Sequence, residues 1–143
     1  MPINFMKKYT RSDLRANRNQ LFVFGDNMVR QGRGGQAAEC RDEPNAVGIP
    51  TKWNPSASES AYFSDLDIVK AAPSIDSAFN RLAEHIRTGG TVIWPSDNVG
   101  TGLAKLREKA PAINAYIQRK FNELCDLADE FKRPASTGNY IAD

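Results

Sequence analysis

Apolar positions in this chain fall into short continuous runs that alternate with stretches of helical spacing. The run Leu21 to Phe24, reading LFVF, is rich in β-forming residues and ends at Gly25-Asp26-Asn27, a turn signal, so it predicts a buried strand. Ala46 to Ile49, ending at Pro50, and Thr91 to Trp94, ending at Pro95, have the length and punctuation of two more interior strands. Between these two, Ser74 is placed to cap a helix. Its apolar positions Ile75, Ala78, Phe79, Leu82 and Ile86 share one face, and Gly89-Gly90 ends it. Another helix is predicted from about Pro111, a favoured first-turn residue, with a stripe of Ile113, Tyr116, Ile117, Phe121, Leu124, Ala128 and Phe131. Asn54 to Asp67 predicts a long polar connection with a short helix near its end. The expected organisation is one domain over 1–132 and a flexible tail over 133–143, where Pro, Ser, Thr and Gly replace any apolar period. Strands alternating with helices make a layered α/β sheet, and such sheets bind ligands beyond the carboxyl ends of their strands.

Composition narrows this picture. A chain of 143 residues that is 41% hydrophobic and 25% charged has the material for one core. Nineteen Lys and Arg against seventeen Asp and Glu leave +2, too balanced for the single-sign field of a dedicated duplex-DNA binder. Two distant cysteines, Cys40 and Cys125, and a single histidine, His85, match neither a disulfide framework nor a metal-ligand spacing. No metal and no cofactor is expected, Cys40 reads as packing, and His85 as a structural or surface residue. No apolar stretch approaches the ~20 residues of a membrane span. The N-terminal MPINFMKKYTRSDLRAN lacks the apolar core of a signal peptide. A cytoplasmic monomer without a membrane partner is the expectation.

The candidate chemistry lies in two glycine-rich segments, each directly after a predicted strand. Gly25 to Ala38 passes through Gly32, Gly34 and Gly35 into a helix start, and Pro95 to Leu103 contains Gly100-Thr101-Gly102. Glycines permit unusual dihedrals and close backbone approach, and free N–H groups in such bends cradle anions, phosphate above all. Two of them suit a diphosphate. No Lys-Ser/Thr follows the glycines as in a P-loop, and G-x-G-x-x-G is absent, so an ordinary nucleoside triphosphatase is disfavoured.

The run Val23-Phe24-Gly25-Asp26-Asn27, followed through Met28 to Gly32 by Arg33-Gly34-Gly35-Gln36-Ala37, resembles the macro-domain pattern of a strand ending in Asn and a three-glycine loop. Arg33 stands where the first of those glycines would be. Gly48-Ile49-Pro50-Thr51-Lys52 is similar to the strand ending in Thr-Lys of the branch containing terminal ADP-ribose glycohydrolases and the antitoxins that reverse DNA ADP-ribosylation. Val92-Ile93-Trp94-Pro95 and Val99-Gly100-Thr101-Gly102-Leu103 resemble that branch's last strand and second phosphate loop, and Arg11-Ser12-Asp13-Leu14 faintly echoes its adenine-reading turn. The likeness spans roughly residues 9 to 121, with the motifs in the family's order.

It implies a macro-domain-like three-layer α/β/α fold around a central mixed sheet, and ADP-ribose as ligand. The ligand would be free or carried by a protein, nucleic acid or metabolite. Gly34, Gly35, Gln36, Ala37 and Val99, Gly100, Thr101, Gly102, Leu103 would then clasp the pyrophosphate, with Asp13 on adenine and Asn27 on the distal ribose. The implied activity is hydrolysis of an ADP-ribosyl linkage, with a non-catalytic reader or sponge of such a nucleotide as the alternative. Lys52 would act at the anomeric centre, and Asp97 or Asp26 would move protons, because Ala104 occupies the position where that branch carries an acid.

Each residue also has a plainer reading. Lys52 is a solvated loop end, Asn27 and Asp26 are turn formers, and Asp97 with Asn98 caps a helix beginning in the Gly100 loop. Trp53, Tyr62 and Phe63 either stack on a base or fill core, and Trp94 is core. Arg30 and Arg33 either meet phosphate or solvate a surface.

Overall fold

The computed structural model describes residues 2–131, and the expected tail over 133–143 lies outside them. Four strands, β1 (Ile3–Met6), β2 (Gln20–Asp26), β3 (Ala46–Pro50) and β4 (Thr91–Pro95), form one sheet in the order β1-β4-β2-β3. Among the described residues five helices accompany them: α1 (Arg11–Ala16), α2 (Ala37–Cys40), α3 (Ile68–Arg87), α4 (Leu106–Lys109) and α5 (Pro111–Phe131). The three strands predicted from apolar runs form with ends within a residue or two of expectation. So does the helix at Pro111.

The sheet is not mixed: every pairing among the described strands is parallel. Each link between successive strands is long enough to return the chain to the starting end of the sheet, the condition a parallel pair requires. Side chains alternate between the two faces. Leu21, Val23, Val47, Ile49, Val92 and Trp94 join a core with Ile75, Phe79, Leu82 and Ile86 of α3 and Ile113, Ile117 and Leu124 of α5. Phe22, Phe24 and Ile93 point the other way, into a smaller core with Tyr9, Leu14, Ala37 and Cys40.

The helix expected to be capped by Ser74 has its cap seven residues earlier, at Asp67, and runs from Ile68 with Pro73 inside it. Proline removes one i to i−4 bond, and the carbonyl left without that donor belongs to Val69, which is 80% exposed, so water can serve it. β1 and α1 carried too few buried positions to announce themselves. α1 buries only Leu14 and is held by a reciprocal capping box between Thr10 and Asp13. The long connection contains two 3₁₀ turns, Glu59–Ala61 and Asp65–Asp67, the second leading directly into α3. Among the described residues no helix is long and apolar enough to cross a membrane.

Candidate functional site

The sheet forks at the carboxyl ends of its two central strands. β2 and β4 pair only from Gln20–Thr91 to Phe22–Ile93, although β2 continues to Asp26 and β4 to Pro95. The Val23 carbonyl, which would have met β4, accepts instead from the buried Tyr9 hydroxyl, and burial holds that phenol well above its ordinary pKa. The two glycine segments leave the fork and meet again above it. A methyl group added at Gly25 would stand 3.6 Å from the Gly100 nitrogen, and one at Gly34 only 2.8 Å from Leu103 Cδ1. Between the segments lies a crevice of about 210 Å³, lined by Gly25 to Asn27, Gln31, Gly32, Gly34 to Ala37 and Pro95 with Asn98 to Ala104. Phe24, Arg41, Thr51, Lys52 and Pro55 complete the wall.

Side chains hold the first segment. Asp26 ends β2 with its carboxylate 3% exposed, where Gly48 on β3 leaves room for it: a Cβ at Gly48 would lie 2.5 Å from Asp26 Oδ2. Arg41 Nη2 and Nη1 reach Asp26 Oδ1 and Oδ2 at 2.7 and 2.9 Å. Arg30 Nη1 adds a contact at 3.2 Å, and the Asn27 main-chain N–H donates to Oδ1 at 2.8 Å. Arg30 takes a left-handed backbone, φ 57°, and also donates to the Gly48 carbonyl on the sheet edge. Asn27 Nδ2 donates to the Gln31 carbonyl at 2.7 Å, closing the turn on itself. At the far end, Gln36 bonds both main-chain groups of Tyr9.

Bonds among near neighbours in the chain hold the second segment. Asn98, at φ 71°, receives the Val99 amide and the Trp94 indole N–H on its side-chain oxygen. Leu106 and Lys105 amides return to the carbonyls of Gly100 and Gly102. Gly100, at φ 80°, has Leu106 Cβ only 2.8 Å from where its own Cβ would be, so this bend requires glycine twice over. No helix begins in the loop; α4 starts at Leu106, so Asp97 and Asn98 cap none.

These bends leave two runs of amides unused. Among the described residues, the N–H groups of Gly32 to Gln36 and of Gly100 to Ala104 find no acceptor within the chain. Exposed N–H groups can bond water; apart from Arg33, the residues of both runs line the crevice, and concave runs of free amides are suited to anions.

The residues expected at the site divide clearly. Asn27, Asp26, Lys52, Gly34 to Ala37 and Val99 to Leu103 line the crevice, whereas Asp13 and Asp97 do not. Asp13 serves the α1 cap, and Asp97 is exposed on the outer flank of its loop. Lys52 is 8% exposed, donates to the Ser56 carbonyl at 2.8 Å and lies 4.6 Å from the centroid of the Tyr62 ring, with no carboxylate partner among the described residues. Lys109 approaches the same ring at 5.1 Å. Trp53 and Phe63 pack edge to face and join the core, as does Trp94. Arg33 pairs with Asp42 on the surface. Burial pushes the Cys40 thiol up to about 12, which makes it inert as a nucleophile near neutrality. Among the described residues, no group of three or more potential ligands can hold a metal.

Sequence reasoning missed Arg41. Its guanidinium makes four hydrogen bonds in this region, but an arginine just beyond a four-residue helix has no distinctive spacing. The available signal was indirect: an acid ending a buried strand needs a cation.

Comparison with curated proteins and with solved structures gave no match. The profile of a family of unknown function, DUF7831, matches residues 4–120, and the chain belongs to that family.

Proposed function

We propose that the crevice binds ADP-ribose or a closely related nucleotide by its diphosphate, within a macro-domain-like three-layer α/β/α arrangement. The observation that carries this reading is the pair of unused amide runs, Gly32 to Gln36 and Gly100 to Ala104, whose residues, Arg33 apart, line one crevice. Its position beyond the ends of adjacent parallel strands is where open α/β sheets place ligands. Main-chain donors suit a diphosphate because they deliver many short bonds without a compensating counter-charge to displace. The crevice, at about 210 Å³, is smaller than the roughly 300–1,000 Å³ of sites that enclose a drug-sized molecule. It therefore encloses the diphosphate and an adjoining sugar, and the remainder of the nucleotide lies outside.

Two roles are open to such a site. For hydrolysis of an ADP-ribosyl linkage, Lys52 and Asn27 both line the crevice, and Lys52 would either offset developing charge as the ammonium or, as the free amine, attack the anomeric carbon. The proton-moving acid is the weak point. Asp26 is the only carboxylate lining the crevice among the described residues, and both its oxygens are taken by arginines and an amide; Asp97 is exposed and does not line it. That observation favours the second role, a reader or sponge that holds the nucleotide without turnover.

Calorimetry with ADP-ribose tests the binding claim, which fails if no heat of binding appears at millimolar ligand. Incubation with ADP-ribosylated protein or nucleic acid separates the roles: released ADP-ribose that disappears in Lys52→Ala establishes a hydrolase, and binding without release establishes a reader.

A further inference from the structure

Arg41 touches more of the first glycine segment than any other side chain, although it lies beyond the segment's end. Its side chain is 11% exposed and forms part of the crevice wall. One edge of the guanidinium grips both oxygens of Asp26, at 2.7 and 2.9 Å. The other edge donates to two successive loop carbonyls, Nη2 to Gln31 at 3.0 Å and Nε to Gly32 at 3.0 Å.

The second pair of bonds has a geometric consequence. In a trans peptide the C=O and the following N–H point in opposite directions. Turning the carbonyls of Gln31 and Gly32 toward Arg41 therefore turns the amides of Gly32 and Arg33 away from it, and these begin the unused run. Gly32 accepts the required backbone at φ 94°, where Pro55 would lie 2.8 Å from any Cβ. The first bond pair sets the charge. With Asp26 in its fork, Arg41 is compensated, so it acts as a brace rather than as a free cation at the crevice wall.

We propose that Arg41 is the positioning residue of the crevice: braced on Asp26, it holds the carbonyls of Gln31 and Gly32 back so that the loop presents its amides to the diphosphate. This rests on the reading of the crevice as a diphosphate site. A direct phosphate ligand would behave differently, because freeing its guanidinium from Asp26 would strengthen it.

The test compares wild type with Arg41→Lys and Asp26→Asn, each checked for a cooperative thermal transition. Lysine keeps the charge but cannot span two carboxylate oxygens and two carbonyls. In the ligand-free proteins, ¹⁵N relaxation of Gly32, Gly34 and Gly35 should fall from rigid order parameters near ~0.85 to below about 0.6 in both variants. Calorimetric titration with ADP-ribose should show affinity reduced at least about tenfold in both. Tighter binding in Asp26→Asn together with weaker binding in Arg41→Lys overturns the proposal and makes Arg41 a direct ligand. Unchanged order parameters in Arg41→Lys overturn it as well. The relaxation arm needs no nucleotide, so wild type that fails to bind ADP-ribose refutes the crevice reading, whereas a loop that stays rigid refutes the role of Arg41.

Discussion

The two glycine segments end at the same crevice but are held in place by different physics. The first is tied by long-range side-chain bonds: Asp26 to Arg41 across 15 residues, Gln36 to Tyr9 across 27, and Arg30 to the edge of β3 across 18. The second is tied by its own neighbours, through Asn98, the return of the Lys105 and Leu106 amides, and the burial of Val99 and Leu106. A bend held by main-chain bonds and packing tolerates changes in side-chain charge and fails when its backbone is altered. A bend held by ion pairs has the opposite sensitivity.

The largest expected effect comes from cutting the ion pairs. Asp26→Ala leaves Arg41 without its partner in a site that is nearly closed to water, and breaking a buried pair on one side costs about 3–5 kcal/mol. Urea denaturation should show that loss, and a change below about 1 kcal/mol would mean that the first segment is not held by this pair.

Next in size is a backbone change in the second segment. Gly100→Ala forces a Cβ into a left-handed position and against Leu106 at 2.8 Å, which together should lower stability by about 2–3 kcal/mol. Gly35→Ala has the same sign of φ, +56°, but meets nothing within 4 Å, so only the conformational term of about 1 kcal/mol applies. If denaturant midpoints place the two variants together, crowding at Gly100 is not what shapes the second bend.

The smallest effect appears as pH dependence. Beneath the first segment, the buried Glu43 carboxylate meets Arg11 at 2.6 Å, Arg18 at 2.7 Å and Arg15 at 3.2 Å, and Arg11 also donates to the Ala38 carbonyl of α2. Hydrogen bonds from Arg11 and then Arg18 hold the Glu43 carboxyl down at about 2 against an ordinary 4.5. A carboxyl depressed in the folded state stabilises fully above its unfolded value, and that contribution disappears as pH falls through the folded one. Melting of wild type and Glu43→Gln should therefore differ at pH 7, converge between about 4.5 and about 2, and coincide below. A gap that persists at pH 2 would assign the loss in the variant to something other than the charge. The hydrogen bonds that hold the second segment involve no titrating side chain, so acid should loosen the first bend before the second.

Much of the fold was legible because its signals are local. The runs LFVF, AVGI and TVIW carry strand propensity and end in turn residues, and the apolar spacing of α3 and α5 is regular over several turns. The missed elements are short and half-exposed. α3 extends past the expected cap at Ser74 because Pro73 sits on an exposed side of the helix and is accommodated there. In the site, the glycines and Lys52 could be named in advance, whereas Asp13 and Asp97 could not be sorted from them, since a carboxylate that caps a helix and one that meets a ligand look alike in a string of letters.

The amino-acid order alone determined where the chain would extend, coil and bend, because periodicity, propensity and glycine act over a few residues. Insertion of β4 between β1 and β2 decided the rest. That arrangement sets all the strands parallel, brings bends some 70 residues apart to one fork, and buries Asp26 where Arg41 must answer it. Those outcomes depend on the free energy of burying two faces of a common sheet, a property of the assembled chain that no segment carries by itself.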